Sequence, residues 1–218
     1  VYLDNIIVSG AEKEIQDSIH LFVKSENSNQ KLYFFDNNLI LLNEEYINEE
    51  SLNYFPSIAN IEIKKEYPDT LRIKVDERQE IAQICLNNCF FLDMEGVAFE
   101  QLSLLDPDFL EIEDQRLKGD IVLGEKIIDS NLVSKISDFN NKLKTLNIEI
   151  DKFIIISEER INILTKEGWI IYFDPQKDTE WQFTKLSVVL NEYLSQEDRD
   201  QLEYIELRFG NTAPIKKR

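Results

Sequence analysis

Long hydrophobic runs are missing from this chain of 218 residues, and so are most of the residues that carry chemistry. No window approaches the roughly 18 consecutive apolar residues that span a bilayer, so no membrane-crossing helix is expected within it. The one histidine, His20, stands beside the apolar stripe of a predicted helix and in a different predicted domain from both cysteines, which leaves no Ser-His or Cys-His pair to assemble. Six glycines supply neither G-x-G-x-x-G nor G-x-x-x-x-G-K-[ST], so a phosphate cradle is not expected, and no G-x-S-x-G is present. Basic residues are outnumbered by acidic ones, 24 to 42, and the net charge of −18 repels phosphate backbones and anionic lipid surfaces. Nucleic acid is therefore not expected as a partner.

Only two cysteines occur, in Ile84-Cys85-Leu86-Asn87-Asn88-Cys89-Phe90. Four soft ligands are normally needed for a zinc site, and this spacing with a single histidine does not provide them. If Asn87-Asn88 is a two-residue hairpin turn, Leu86 lies opposite Cys89 and Cys85 opposite Phe90. The thiols then point to opposite faces, and no disulfide is expected.

What is present is a well-stocked core. Hydrophobic residues make up 43% and aromatics 11%, enough for a folded chain of one or two domains. The clearest pattern is Phe55–Phe99. Ile58, Ile61 and Ile63 alternate with Glu62, Lys64 and Glu66, and Leu71, Ile73 and Val75 with Arg72, Lys74 and Asp76, which predicts two half-buried strands around the turn Tyr67-Pro68-Asp69-Thr70. Ahead of them lie a strand-like run over 2–8, a helix with Ile15, Ile19, Phe22 and Val23 on one face, and a second short helix over about 48–55. The apolar run Lys31–Phe35 fits no element of that series. Beyond Arg78 a second domain is expected, with a hairpin at Asn87-Asn88, an irregular acidic segment between Asp106-Pro107-Asp108 and Lys118-Gly119-Asp120, and a helix carrying Leu132, Ile136, Phe139, Leu143 and Leu146. Strands follow over 153–156, 160–165 and 169–173, then a helix from Asp178 or Thr179, a polar loop over 195–201 and a last strand over 204–209. Trp169 and Trp181 are expected to pack in the core or an interface.

The proline-led "P-x-I-x-x-I-x-I", the "Y-P-D-T-L" turn, the exit Ile73-Lys74-Val75-Asp76-Glu77-Arg78, the later "F-F-L-D-x-x-G-V-A-F" and the closing Tyr204-Ile205-Glu206-Leu207-Arg208-Phe209 resemble the extracytoplasmic part of the FtsQ/DivIB family of bacterial cell-division proteins. The resemblance implies an α+β fold. An N-terminal POTRA domain over 1–78, two helices on a three-stranded sheet, would precede a larger, mostly antiparallel β domain over 79–213 with two main helices and a C-terminal tail over 214–218. It further implies no enzymatic activity, cofactor or metal. The protein would be a division-site scaffold anchored by a transmembrane helix ahead of Val1, since the chain begins without methionine and reads as a fragment of something longer. Partners would be FtsB/DivIC-like and FtsL-like proteins, the former adding a strand at the edge of the last strand through Tyr204, Arg208, Phe209, Gly210 and Asn211. Pro214 cannot donate to a ladder, so strand addition is not expected beyond Ala213. Two other readings stay open: a POTRA-type client-binding module of secretion or outer-membrane assembly, and an extracytoplasmic carboxylate hydrolase using pairs such as Asp93 with Glu95 or Asp106 with Asp108. None of the oxygen-rich loops has the spacing of a helix-loop-helix calcium site.

Overall fold

The computed structural model describes residues 2–29 and 38–218 and divides into two compact units at Arg78/Gln79. The run Lys31–Phe35 lies outside the described residues.

The first unit runs β1 (Asn5–Ser9), α1 (Lys13–Asn29), α2 (Glu44–Tyr54), β2 (Ile58–Glu66) and β3 (Thr70–Glu77). Its three strands lie in the order β1-β3-β2, with β1 parallel and β2 antiparallel to the central β3. The alternation read from the sequence is realised on β3, where Leu71, Ile73 and Val75 are fully buried. On β2, Ile58 and Ile61 are three apart and would face opposite sides of a regular strand. A register shift between Ile58 and Asn60 turns both inward, as a bulge does. The connecting turn contains a cis Tyr67-Pro68 bond. Ile19 and Val23 of α1 and Ile47 of α2 close the core over the sheet, the two-helix, three-strand arrangement implied for a POTRA domain. Helix α2 starts four residues before the expected Asn48. The Asn43 side chain accepts from the Tyr46 amide at 3.2 Å, and Glu44 and Glu45 sit at the positive end of the helix dipole.

The second unit is built on a nine-stranded sheet. Its elements are β4 (Ala82–Cys85), β5 (Cys89–Leu92), β6 (Ala98–Leu102), β7 (Leu110–Asp114), α3 (Ser130–Thr145), β8 (Ile150–Ser157), β9 (Arg160–Thr165), β10 (Ile170–Phe173), α4 (Thr179–Val188) prolonged by a π-helical turn (Val189–Tyr193), α5 (Gln196–Asp200), β11 (Leu202–Glu206) and β12 (Ile215–Lys217). The spatial order is β12-β11-β10-β9-β8-β7-β4-β5-β6. Five of the eight neighbouring pairs are antiparallel, and β4–β7, β7–β8 and β10–β11 are parallel. Adjacent parallel strands need a crossover, and α3 and α4 supply it for β7–β8 and β10–β11. The chain thus lays down the same strand-helix-strand-strand order twice, β7-α3-β8-β9 and β10-α4-β11-β12, side by side in one sheet. The two helices meet along the sheet, with the Phe139 ring 4.3 Å from Phe173 and 6.4 Å from Phe183 between centroids.

Four expectations are corrected in this unit. The hairpin of β4 and β5 turns through three residues, with the Leu86 amide donating to the Asn88 carbonyl at 3.0 Å, so Cys85 pairs directly with Cys89. That added turn residue changes the register, brings both thiols to one face with Cα atoms 4.1 Å apart, and a disulfide joins them. The acidic segment 106–120 contains β7, in the sheet interior between β4 and β8. Ile112 is buried there, and the carboxylate of buried Asp114 is gripped by Arg116 through bonds of 2.9 and 2.6 Å. The polar loop 195–201 holds α5, nucleated by a capping box in which Ser195 and Asp198 bond each other's backbone amides. Residues 214–218, expected as a tail, contain strand β12.

Two stability predictions follow from this packing. Phe139→Ala removes a fully buried ring at the junction of α3, β10 and α4 and is expected to cost about 3–5 kcal/mol in urea unfolding; a loss below about 1 kcal/mol would show that the two helices do not share a core. Gly96 has φ +79°, and a Cβ there would overlap the Ile128 carbonyl oxygen. Gly96→Ala should therefore destabilise by more than the ~1 kcal/mol scale of an unstrained glycine change, and a neutral or stabilising result in the same assay would contradict the tight Gly96–Ile128 approach.

Candidate partner-binding edge

The C-terminal end of the sheet is organised from α4. Asp178 caps the helix by accepting from the Trp181 amide at 2.9 Å. One turn on, the buried Gln182 side chain donates to the Asp174 carbonyl at 2.7 Å and accepts from the Asp174 amide at 2.9 Å, so the helix is tied to the end of β10. The chain then returns through the π-helical turn and α5 to place β11 parallel to β10, with Ile171 opposite Ile205 and Tyr172 opposite Glu206. Ile205 and Leu207 are buried in the core beneath α4.

After β11 the chain leaves the ladder for a loop, Leu207–Ala213, and comes back as β12, antiparallel to β11. The edge of β11 is therefore occupied by β12, which is the end strand of the sheet among the described residues. This revises the expectation drawn from Pro214. Its carbonyl accepts from the Glu206 amide at 2.8 Å and begins the ladder, and the Arg218 amide closes it on the Gln201 carbonyl at 2.8 Å. Since alternate residues of a strand bond to opposite sides, the backbone groups of Ile215 and Lys217 face the open side. Ion pairs hold β12 down: Lys216 to Glu203 at 2.8 Å and Lys217 to Asp198 at 2.5 Å, while the Arg218 guanidinium donates to the Gly168 carbonyl at 2.6 Å.

The five residues named from the family motif divide into two groups. Tyr204 and Arg208 are engaged internally. The Tyr204 ring lies 5.0 Å from that of Tyr172. Arg208 grips Glu206 through two bonds of 2.9 and 2.6 Å and stands 5.4 Å from the Tyr172 ring centroid. Burial pushes the Glu206 carboxyl up, but the bonds from the Arg208 side chain and amide outweigh it, and the net shift is downward. Phe209 is 57% exposed, and Gly210 and Asn211 are exposed beside it. Gly210 has φ +42° and no atom within 4 Å of the place a Cβ would occupy.

An apolar groove of about 470 Å³ lies next to β12. Trp181, Val188 and Tyr193 of the α4 segment form one wall, and Asn211, Ala213 and Ile215 the other. Tyr193 is 72% and Trp181 43% exposed, a concentration of accessible apolar surface that pairs with an open strand edge. The outward spacing of Trp181, Val188 and the π-turn residues was the available signal, masked because a broad apolar helix face reads as core.

The carboxylates singled out for hydrolysis build turns. Asp93 accepts from the Val97 amide at 2.9 Å, and Asp106 accepts from the Asp108 amide at 2.9 Å while its own amide donates to Gln83. Among the described residues no group of three or more His, Cys, Asp or Glu side chains is placed to hold a metal ion, and no helix is long and apolar enough to cross a membrane.

A pH prediction follows from the anchoring of β12. The hydrogen bond from Lys217, followed by those from the Ser195 amide and hydroxyl, lowers the Asp198 pKa to about 2. A depressed carboxylate stabilises above its unfolded value of about 3.9 and loses that contribution as pH falls through its folded value. The amide resonances of residues 215–218 should therefore titrate with a midpoint near 2 and lose that transition in Asp198→Asn; a midpoint at the ordinary carboxylate value would show that the Lys217 contact does not persist in solution.

Residues 3–78 match the model of the POTRA domain, FtsQ-type. Over 201 residues the chain is 24% identical to the cell division protein DivIB of Clostridium acetobutylicum, an alignment that covers 87% of this chain and 76% of that protein. The match to the FtsQ-type POTRA domain falls within the first unit, and the similarity to that DivIB continues through most of the strand-rich second unit.

Proposed function

We propose that the protein is a non-catalytic scaffold of bacterial cell division, that it works on the extracytoplasmic side of the membrane behind a transmembrane anchor, and that its second domain docks FtsB/DivIC-like and FtsL-like partners. The observation that carries this reading is the junction of an open strand edge, β12, with the apolar groove under Trp181, Val188 and Tyr193. The FtsQ-type POTRA match and the similarity to a DivIB protein support the division role, and the Cys85–Cys89 disulfide accords with an oxidising compartment.

The edge and the groove need one another. A strand of three residues offers only a few outward backbone bonds, each worth a net of about 0.5–1.5 kcal/mol, too little to hold a partner against the cost of ordering it. One well-buried apolar side chain adds about 1.5–3 kcal/mol. The fitting ligand is an extended segment that adds to β12 and sends alternate apolar side chains into the groove. Phe209, Gly210 and Asn211 would meet it directly, and Tyr204 and Arg208 would hold the platform.

The test is a titration with the extracytoplasmic segments of FtsB/DivIC-like and FtsL-like proteins of the same organism. Ile215→Pro deletes an outward-facing amide without touching the inward ladder, and Trp181→Ala opens the groove wall. Each is expected to weaken binding roughly tenfold or more, the scale of one hydrogen bond or a partly buried ring, with the fold intact by circular dichroism. Unchanged affinity in both variants would remove this edge from the interaction.

A further inference from the structure

Lys185 is the one lysine among the described residues that is buried, 6% exposed, and it has no carboxylate as its hydrogen-bond partner. Its ammonium group lies within the loop that follows β11 and meets four backbone carbonyl oxygens: Leu207 at 2.5 Å, Gly210 at 3.2 Å, Thr212 at 3.2 Å and Phe209 at 3.4 Å. These carbonyls belong to a stretch with no ladder and no helix, where acceptors turned inward must find a donor from elsewhere. The positive φ of Gly210 helps the chain curl so that they converge. Three ammonium protons shared among four carbonyls form a cation cage built by the protein around its own side chain.

We propose that the Lys185 ammonium is a positioning pin: it fixes the loop Leu207–Thr212, and through that loop sets both the second wall of the apolar groove and the seating of β12. The link to β12 is short, because Ala213 alone separates the caged Thr212 carbonyl from the Pro214 carbonyl that starts the β11–β12 ladder. The link to the groove is direct, since Lys185, Asn211, Thr212 and Ala213 all line it. Charge is retained in this setting because the converging carbonyl dipoles replace water and Glu206 lies close by. Burial lowers the Lys185 pKa, and Glu206 opposes that shift. Lys177 gives an internal comparison. It also donates to the loop, to the Arg208 carbonyl at 2.8 Å, but from an exposed position with a single bond to it.

The pin is tested without a partner by amide hydrogen exchange on the wild type, Lys185→Met and Lys177→Met. Methionine keeps the apolar stem and deletes the charge. Expected is a selective acceleration of roughly tenfold or more over 207–217 in Lys185→Met, with β8, β9 and α3 unchanged, and a much smaller effect in Lys177→Met. Uniform acceleration across the second domain, or none, would overturn the proposal. Should Lys185→Met fail to fold, the wild type alone decides: scalar couplings from the Lys185 ammonium nitrogen to the carbonyl carbons of residues 207, 210 and 212 support the cage, and a rapidly exchanging, uncoupled ammonium overturns it. The effect on docking rests on the function proposed above. A wild type that binds no FtsB/DivIC-like segment, while exchange answers as expected, removes that function and leaves the pin standing. Equal affinity of the wild type and a folded, loosened Lys185→Met overturns the claim that the pin shapes the dock.

Discussion

The crossover made by α4 is the constraint on which the C-terminal half of this fold depends. Two adjacent strands can run parallel only if the chain travels back along the sheet, and the helix that does so must bury one face against it. Here the helix is fastened at its start by the Gln182–Asp174 pair and in its middle by Lys185, and the core residues Leu186 and Leu190 seal it between those points and the turn. β11 consequently lands inside the sheet with both flanks paired, and the short β12 becomes the edge. An edge of this kind is easy to keep soluble: it is three residues long, carries two lysines and is flanked by acids that pair with them, all features that discourage sheet-to-sheet aggregation.

The same logic runs through the earlier repeat of the pattern. β7-α3-β8-β9 uses a crossover to bring β8 beside β7, and its last strand, β9, is covered by β10 of the next repeat. β12 occupies the corresponding place and, among the described residues, ends the sheet. The exposed rings of Trp181 and Tyr193 lie beside β12, along the groove that Ile215 also lines.

How much of this the residues disclosed depended on the range of the interactions involved. The β2–β3 hairpin was legible because its alternation is long and its turn chemistry local, and α3 because Ile136, Phe139 and Leu143 recur at helical spacing. β7 was not, since Leu110-Glu111-Ile112-Glu113-Asp114 is acidic and short, and its buried Asp114 is tolerable only through Arg116. The disulfide turned on a single residue in a hairpin loop, which local propensity does not fix. β12 escaped notice because Ile215-Lys216-Lys217 carries no strand signal and exists as a strand only through the ladder with β11 and its acidic neighbours. The closing strand, expected over 204–209, runs instead from Leu202 to Glu206, and which of the motif residues face solvent is a tertiary property: Arg208 turns inward to Glu206, and Phe209 turns out.

The most direct measurement of the central claim is a mapping of backbone amide shifts during titration of the second domain's resonances, in the whole chain, with an isotopically unlabelled FtsB/DivIC-like segment. The largest perturbations are expected at Phe209–Lys217 and along Trp181, Val188 and Tyr193, with new cross-strand contacts from Ile215 and Lys217 to the ligand. Perturbations confined to β6 at the other edge of the sheet, or to residues 2–78, would contradict it.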